Sequence, residues 1–241
     1  MAGSGEPIHL DGIDLVIFDK DGTLIDFHAM WGTWARELGT RLEASVRRPV
    51  APDVFAAIGF DPSRDRFAAR GPLAIGTMAD IESTIATVLR RWCPSVAAAR
   101  RAVEEAWFVP DPLVLAVPLT DLPVLFGRVR EGGRRIAVVT TDDRAPTDAT
   151  LRHLGVRTFV EAMVCGDDGF TTKPAPDAIF AVCQALRTTP DRVAVIGDSP
   201  ADMAMGRAAG VGLVIGVRTG IGLDADLVDA DVIVDSVAAL L

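Results

Sequence analysis

The 241-residue chain is short of lysine, histidine and cysteine, and it contains no long apolar run. Each shortage excludes something. No stretch approaches the roughly 18–20 apolar residues of a membrane-spanning helix, so no membrane partner is expected. Cys93, Cys165 and Cys183 are odd in number, widely spaced and form no CxxC. That suits reduced thiols in a cytoplasmic setting, not a disulfide framework. His9, His28 and His153 are too scattered to build a zinc site. Basic residues number 24 against 33 acidic ones, a net charge of −9, which argues against nucleic acid or an anionic membrane as the main partner. The first seven residues offer neither a basic region nor an apolar stretch and read as a loose tail, not a signal peptide. Neither lysine follows a glycine, so there is no Walker loop. Gly210-Val211-Gly212 precedes a strand instead of following one, so there is no dinucleotide fingerprint.

The lysine shortage is the sharpest of these. Lys20 and Lys173 stand in an otherwise all-arginine basic set. A compact ammonium and a planar guanidinium are not interchangeable, which singles out both positions.

What the chain does have is apolar residues, 49% against 24% charged, enough for a sizeable core. Ile13–Phe18 is a short β-rich run that ends in a glycine turn at Asp21-Gly22-Thr23. From Phe27 to Pro110 the period is helical. Trp31, Trp34, Ala35, Leu38 and Leu42 share one face, and Ile81, Ile85, Val88, Leu89 and Trp92 another, with Thr77 as an N-cap. Val96, Ala99, Val103 and Trp107 make a third face, and all four tryptophans are expected in the core of this region. From Pro118 helices and strands alternate, with helices near 121–131, 146–154, 176–186 and 201–209 and strands near 135–141, 159–165, 193–197 and 211–217. A last strand and helix follow from Asp231. This order predicts an α/β fold, a Rossmann-like parallel sheet covered on both faces, with an all-helical insertion after the first strand. The expected division is a catalytic core of residues 1–26 and 112–241 and a helical cap of residues 27–111.

Ligands of such a sheet bind beyond the carboxyl ends of its strands. The first strand delivers Asp19 and Asp21, whose period-two spacing points both one way with Lys20 opposite. The next ends at Thr140 and Thr141, and a later one at Asp198, with Asp202 one helical turn on. Lys173 lies in a loop stiffened by Pro174 and Pro176. Carboxylates converging on one crevice repel unless a cation sits among them, and an all-oxygen set suits Mg2+ above Zn2+. A lysine, a threonine hydroxyl and the N–H groups of a tight turn suit a phosphate.

The stretches DKDGTL at 19–24, VVTT at 138–141, KPAPD at 173–177 and GDSPAD at 197–202 resemble the four ordered motifs of the haloacid dehalogenase superfamily. The match covers the sheet part of the chain, and the insertion resembles the small cap of the phosphoglycolate-phosphatase-like branch. The resemblance implies a Mg2+-dependent phosphatase acting on a small phosphorylated metabolite, phosphoglycolate-like or a sugar phosphate. Asp19 would be the nucleophile that forms an aspartyl-phosphate, and Asp21 the general acid and then the base. The Asp19 and Asp198 carboxylates and the Asp21 backbone carbonyl would hold Mg2+, with Asp202 acting through water. Thr140, Thr141 and Lys173 would bind the phosphoryl oxygens. Two residues depart from the pattern. Thr141 stands where many relatives have Asn, and Lys20 replaces a more usual apolar residue; facing away from the metal, it reads as a solvated or cap-edge charge.

Other readings stay open. Asp202 also suits a helix N-terminus, and Asp142 and Asp143 read as helix-start residues. His28 is either a hinge histidine or a substrate contact, and Arg144 and Arg70 are candidates for the substrate's far end. A phosphomutase of the β-phosphoglucomutase type would use the same aspartate pair. A dehalogenase is disfavoured, because halide needs no leaving-group acid such as Asp21. A catalytically silent binding module would lack a catalytic residue, and none is missing. The cap is expected to close over the substrate, and the oligomeric state is left open between monomer and homodimer.

Overall fold

The computed structural model describes residues 8–241, apart from the side chains at 74, 75, 112 and 113. The stretch read above as an N-terminal tail lies outside the described residues. In chain order, β1 (Leu15–Phe18) is followed by α1 (Phe27–Val46), α2 (Ala51–Ile58), β2 (Phe60–Asp61), β3 (Arg66–Phe67), α3 (Pro72–Ile75), α4 (Met78–Leu89), α5 (Val96–Ala106) and α6 (Pro112–Leu115). Then come α7 (Leu122–Glu131), β4 (Arg135–Val139), α8 (Arg144–His153), β5 (Val160–Val164), α9 (Asp177–Leu186), β6 (Val193–Gly197), α10 (Pro200–Ala209), β7 (Leu213–Val217) and β8 (Val232–Val234).

Six strands form one sheet in the order β5-β4-β1-β6-β7-β8, and every neighbouring pair is parallel. β1 is the hub, hydrogen-bonded to β4 on one side and β6 on the other. Its period-two alternation splits the core. Val16 and Phe18 join Phe126, Val129, Ile136 and Ile196 on one face, whereas Leu15 and Ile17 join Ala137, Ile179, Val195 and Met205 on the other. Both faces are dry, which is why the strand is apolar at every position. Full burial of each such side chain contributes ~1.5–3 kcal/mol.

The inserted helices surround a separate cluster built from Trp34, Leu38, Leu42, Ile58, Ile81, Ile85 and Leu89. Their ends are written in the sequence. Asp26 accepts from His28 and Ala29 N–H at the start of α1, and Thr77 forms a reciprocal capping box with Asp80 at the start of α4. Three expectations are corrected. The insertion is not all-helical, because β2 and β3 pair antiparallel and stack Phe60 on Phe67 with ring centroids 4.6 Å apart. Trp92 is 38% exposed, with its indole N–H donating to Asp53, so a polar handle outweighs its place on the apolar face. The chain ends in a 3-10 turn, Val237–Leu240, instead of an α-helix. No helix among the described residues is long and apolar enough to cross a membrane.

Candidate active site

The site begins where β1 ends. Asp19 N–H donates to Ile196 O at 2.9 Å, extending the register with β6 by one residue. The chain then turns back. Gly22 N–H donates to Ile25 O, and Leu24 and Ile25 N–H both donate to Lys20 O. The turn needs Gly22 at φ +87°, and a Cβ there would lie 2.5 Å from Asp198 Oδ2, so glycine is required by conformation and by space. A Cβ on Gly220, in the loop after β7, would overlap the same carboxylate. Backbone from two loops thus closes around Asp198, and Ile221 N–H donates to its Oδ2 at 2.8 Å.

Three carboxylates converge beside that turn. Asp19, Asp198 and Asp202 are 8%, 2% and 1% exposed, and one oxygen from each lies within 4.8 Å of the others. Lys173, placed by the loop before α9, donates to Asp19 Oδ1 and to Asp202 Oδ1, both at 2.6 Å. Asp202 Oδ2 accepts from Ser199 N–H and Oγ in a capping box at the head of α10. The helix-cap and site readings of Asp202 therefore describe the same residue, one oxygen for each.

Burial dominates the electrostatics. It pushes the Asp19 carboxyl up to about 7, opposed by Lys173 and reinforced by Asp202 and Asp21. Burial raises Asp198 as well, and the charges of Asp19 and Asp202 add to the effect. Burial works against the Lys173 ammonium, but Asp19 and Asp202 outweigh it and hold it charged. Three buried carboxylates facing one ammonium are short of positive charge. An all-oxygen set of this kind, walled by glycines that leave room for nothing larger than hydrogen, fits a hard divalent cation such as Mg2+.

The other expected residues divide. Asp21, Thr140 and Thr141 line the same cavity as the three carboxylates and Lys173. Thr140 is 5% exposed, and its Oγ1 accepts from Asp142 N–H at 3.2 Å. The lining also includes the apolar residues Phe27, Trp31, Leu73, Met78 and Ile221. His28, Arg70 and Arg144 are not among the described lining residues. His28 stacks near Phe67, Arg70 is exposed, and the Arg144 guanidinium is clamped on Asp168 and on Met163 O. That clamp braces the loop after β5 through Nε and Nη2.

The largest correction concerns Lys20. It is not a solvated charge but is 1% exposed, with its Nζ 2.7 Å from Asp21 Oδ2 and 3.2 Å from Asp142 Oδ2. Asp142 is not merely a helix-start residue; it is 7% exposed, lines the cavity and leaves the N-cap position of α8 to Asp143. Asp19 and Asp21 line the cavity, whereas Lys20 is not among the described lining residues. Its contacts with Asp21 and with Asp142, in a loop more than a hundred residues away, follow no sequence periodicity. The one available signal was the scarcity of lysine.

The family model for haloacid dehalogenase-like hydrolases matches residues 13–210. The phosphoglycolate phosphatase of Rhodospirillum rubrum is 31% identical over 208 residues, 83% of this chain and 78% of that protein. A β-phosphoglucomutase of Mycobacterium tuberculosis is 35% identical over 121 residues, 47% of this chain and 45% of that protein. The crystal structure of CbbY from Rhodobacter sphaeroides in complex with phosphate covers 94% of this chain and 95% of its own, with a TM-score of 0.63 at 22% identity.

Proposed function

The chain belongs to the haloacid dehalogenase-like hydrolase family, and we propose that it is a Mg2+-dependent phosphatase that hydrolyses a small phosphorylated metabolite through an aspartyl-phosphate. One observation carries the reading. Asp19 stands at the carboxyl end of the central strand, bonded to Lys173 and gathered with Asp198 and Asp202 in a shared cavity.

An Asp19 oxygen attacks phosphorus, the bond from phosphorus to the leaving oxygen breaks, and Asp21 gives that oxygen a proton. Asp21 then takes a proton from water, the water oxygen attacks phosphorus, and the bond to Asp19 breaks to release inorganic phosphate. Lys173, Thr140 and Thr141 meet the phosphoryl oxygens as negative charge builds on them. The Asp19 and Asp198 carboxylates and the Asp21 backbone carbonyl would hold Mg2+, with Asp202 reaching it through water because Lys173 and Ser199 occupy its oxygens. Bound there, the ion would supply positive charge against the carboxylates and the phosphoryl oxygens. Asp19 must be ionised to attack, and added positive charge beside it restores the ionisation that burial opposes.

The enclosed space is about 30 Å3, room for little more than a water molecule. The helical insertion (residues 27–111) therefore acts as a cap that opens to admit the substrate and closes to exclude bulk water. A pocket walled by Phe27, Trp31 and Met78 suits a small ester, phosphoglycolate-like or a sugar phosphate, and not a phosphoprotein. Three free cysteines support a cytoplasmic setting. The match to a β-phosphoglucomutase favours a mutase as the second reading, since Asp19 and Asp21 would serve both reactions. A panel of phosphorylated metabolites assayed with Mg2+ and with EDTA separates them. Mg2+-dependent phosphate release supports the phosphatase, isomerisation of a sugar phosphate without release supports the mutase, and inertness throughout rejects both.

A further inference from the structure

The two lysines of the chain, Lys20 and Lys173, are both buried at the carboxyl edge of the sheet, at 1% and 7% exposure. Lys173 faces Asp19 and Asp202, whereas Lys20 faces Asp21 and Asp142. The mechanism above gives Lys20 no task. Burying an ammonium is costly even when it is paired, and an apolar side chain of similar volume often serves stability as well or better. The pair therefore calls for a reason other than stability.

The geometry supplies one. Lys20 engages Asp21 through Oδ2 alone, and Asp21 Oδ1 is a buried oxygen with no partner among the described residues. Buried acceptors without partners are rare and need explaining. Asp21 and Asp142 both line the cavity, so a reacting group can meet this oxygen. The lysine contacts are ionic rather than aligned hydrogen bonds. They tether the carboxyl while leaving Oδ1 free. We propose that Lys20, anchored from behind by Asp142, is a positioning residue that holds the Asp21 carboxyl by one oxygen and presents the other to the leaving-group oxygen, and then to the attacking water. The proposal rests on the phosphatase reading and adds Lys20 and Asp142 to its machinery. A general acid held in its reactive orientation does not have to be ordered again in each turnover.

The test is Lys20→Met, read by kcat/KM on a series of phosphate esters whose leaving alcohols run from 2,4-dinitrophenol to a simple alkyl alcohol. An alkoxide leaves poorly without a proton, and dinitrophenolate needs none. The expected result is a loss of roughly 100-fold on the alkyl ester and of about fivefold or less on the dinitrophenyl ester, within the range that general acids supply. kcat should fall on both, because breakdown of the aspartyl-phosphate also uses Asp21. Asp142→Asn keeps the lysine and loosens its anchor, so it should show the same trend with leaving group, a loss of roughly tenfold on the alkyl ester and little on the dinitrophenyl ester; it decides the matter if Lys20→Met does not fold. Equal losses across the series, or no loss, would overturn the proposal by making the pair merely structural or idle. A wild-type protein that releases phosphate from no ester would instead remove the phosphatase reading and this inference with it.

Discussion

The metal-free protein is expected to lose stability as pH rises from about 4 to about 7, the reverse of ordinary acid denaturation. Asp198 and Asp142, both raised chiefly by burial, act in this direction, and so does Asp19. The Asp19 carboxyl moves from 3.8 to about 7 on folding, chiefly by burial. Across that window the folded state holds a proton that the unfolded chain has released. The slope of unfolding free energy with pH is then negative: the contribution is whole below the unfolded value and gone above the folded one. Roughly three pH units at 1.36 kcal/mol each give an effect on the order of 4 kcal/mol, or about 10 °C in Tm for a chain of this size. Carboxyls held low by arginine partners, such as Asp148 beside Arg157 and Asp14 beside Arg192, act oppositely but only below about pH 4, outside the window. The assay is thermal melting in EDTA at several pH values, repeated with Asp19→Asn and repeated with Mg2+. The variant should make the slope shallower. Saturating Mg2+, which competes with protons for the same oxygens, should raise Tm more at the high end of the window than at the low end. A metal-free protein whose stability is level or rises across the window, or a slope as steep in Asp19→Asn as in the wild type, would refute the reasoning.

Further outcomes follow from the same geometry. Asp21→Asn should lower phosphate release by roughly 10²–10⁴-fold with an unchanged circular dichroism spectrum; retention of full activity would remove Asp21 from proton transfer. Gly220→Ala should weaken Mg2+ stabilisation, measured as the Mg2+-induced rise in Tm, because its methyl group would overlap the Asp198 carboxylate. Lys173 is the single cation among the described lining residues and is already shared by two carboxylates. In matched pairs of esters, an uncharged leaving group should therefore give the higher kcat/KM than one carrying a carboxylate, which would favour a sugar phosphate over a phosphoglycolate-like ester; the reverse order would favour the phosphoglycolate-like ester. Trp31→Ala should raise KM more than it lowers kcat if the apolar wall contributes binding rather than chemistry.

Much of the fold is legible in the sequence. Strand and helix periods along residues 118–217 placed the α/β alternation, and strand ends placed Asp19, Thr140 and Asp198, because a parallel sheet converts the end of a strand into an edge position. The Phe60–Phe67 hairpin escaped because strands of two residues carry no period to read. Arg144 is a candidate by its place after a motif, and the structure pairs it with Asp168, 24 residues later, a partner that no local pattern announces.

The sequence by itself determined which residue types reach the carboxyl edge, since side-chain alternation and motif order are properties of the chain taken a few residues at a time. The tertiary structure alone decided how their charges are shared. Whether Lys20 meets water or two carboxylates depends on the path of a glycine turn and on a neighbouring strand more than a hundred residues away, and burial makes that difference between a solvated charge and a fixed part of the site.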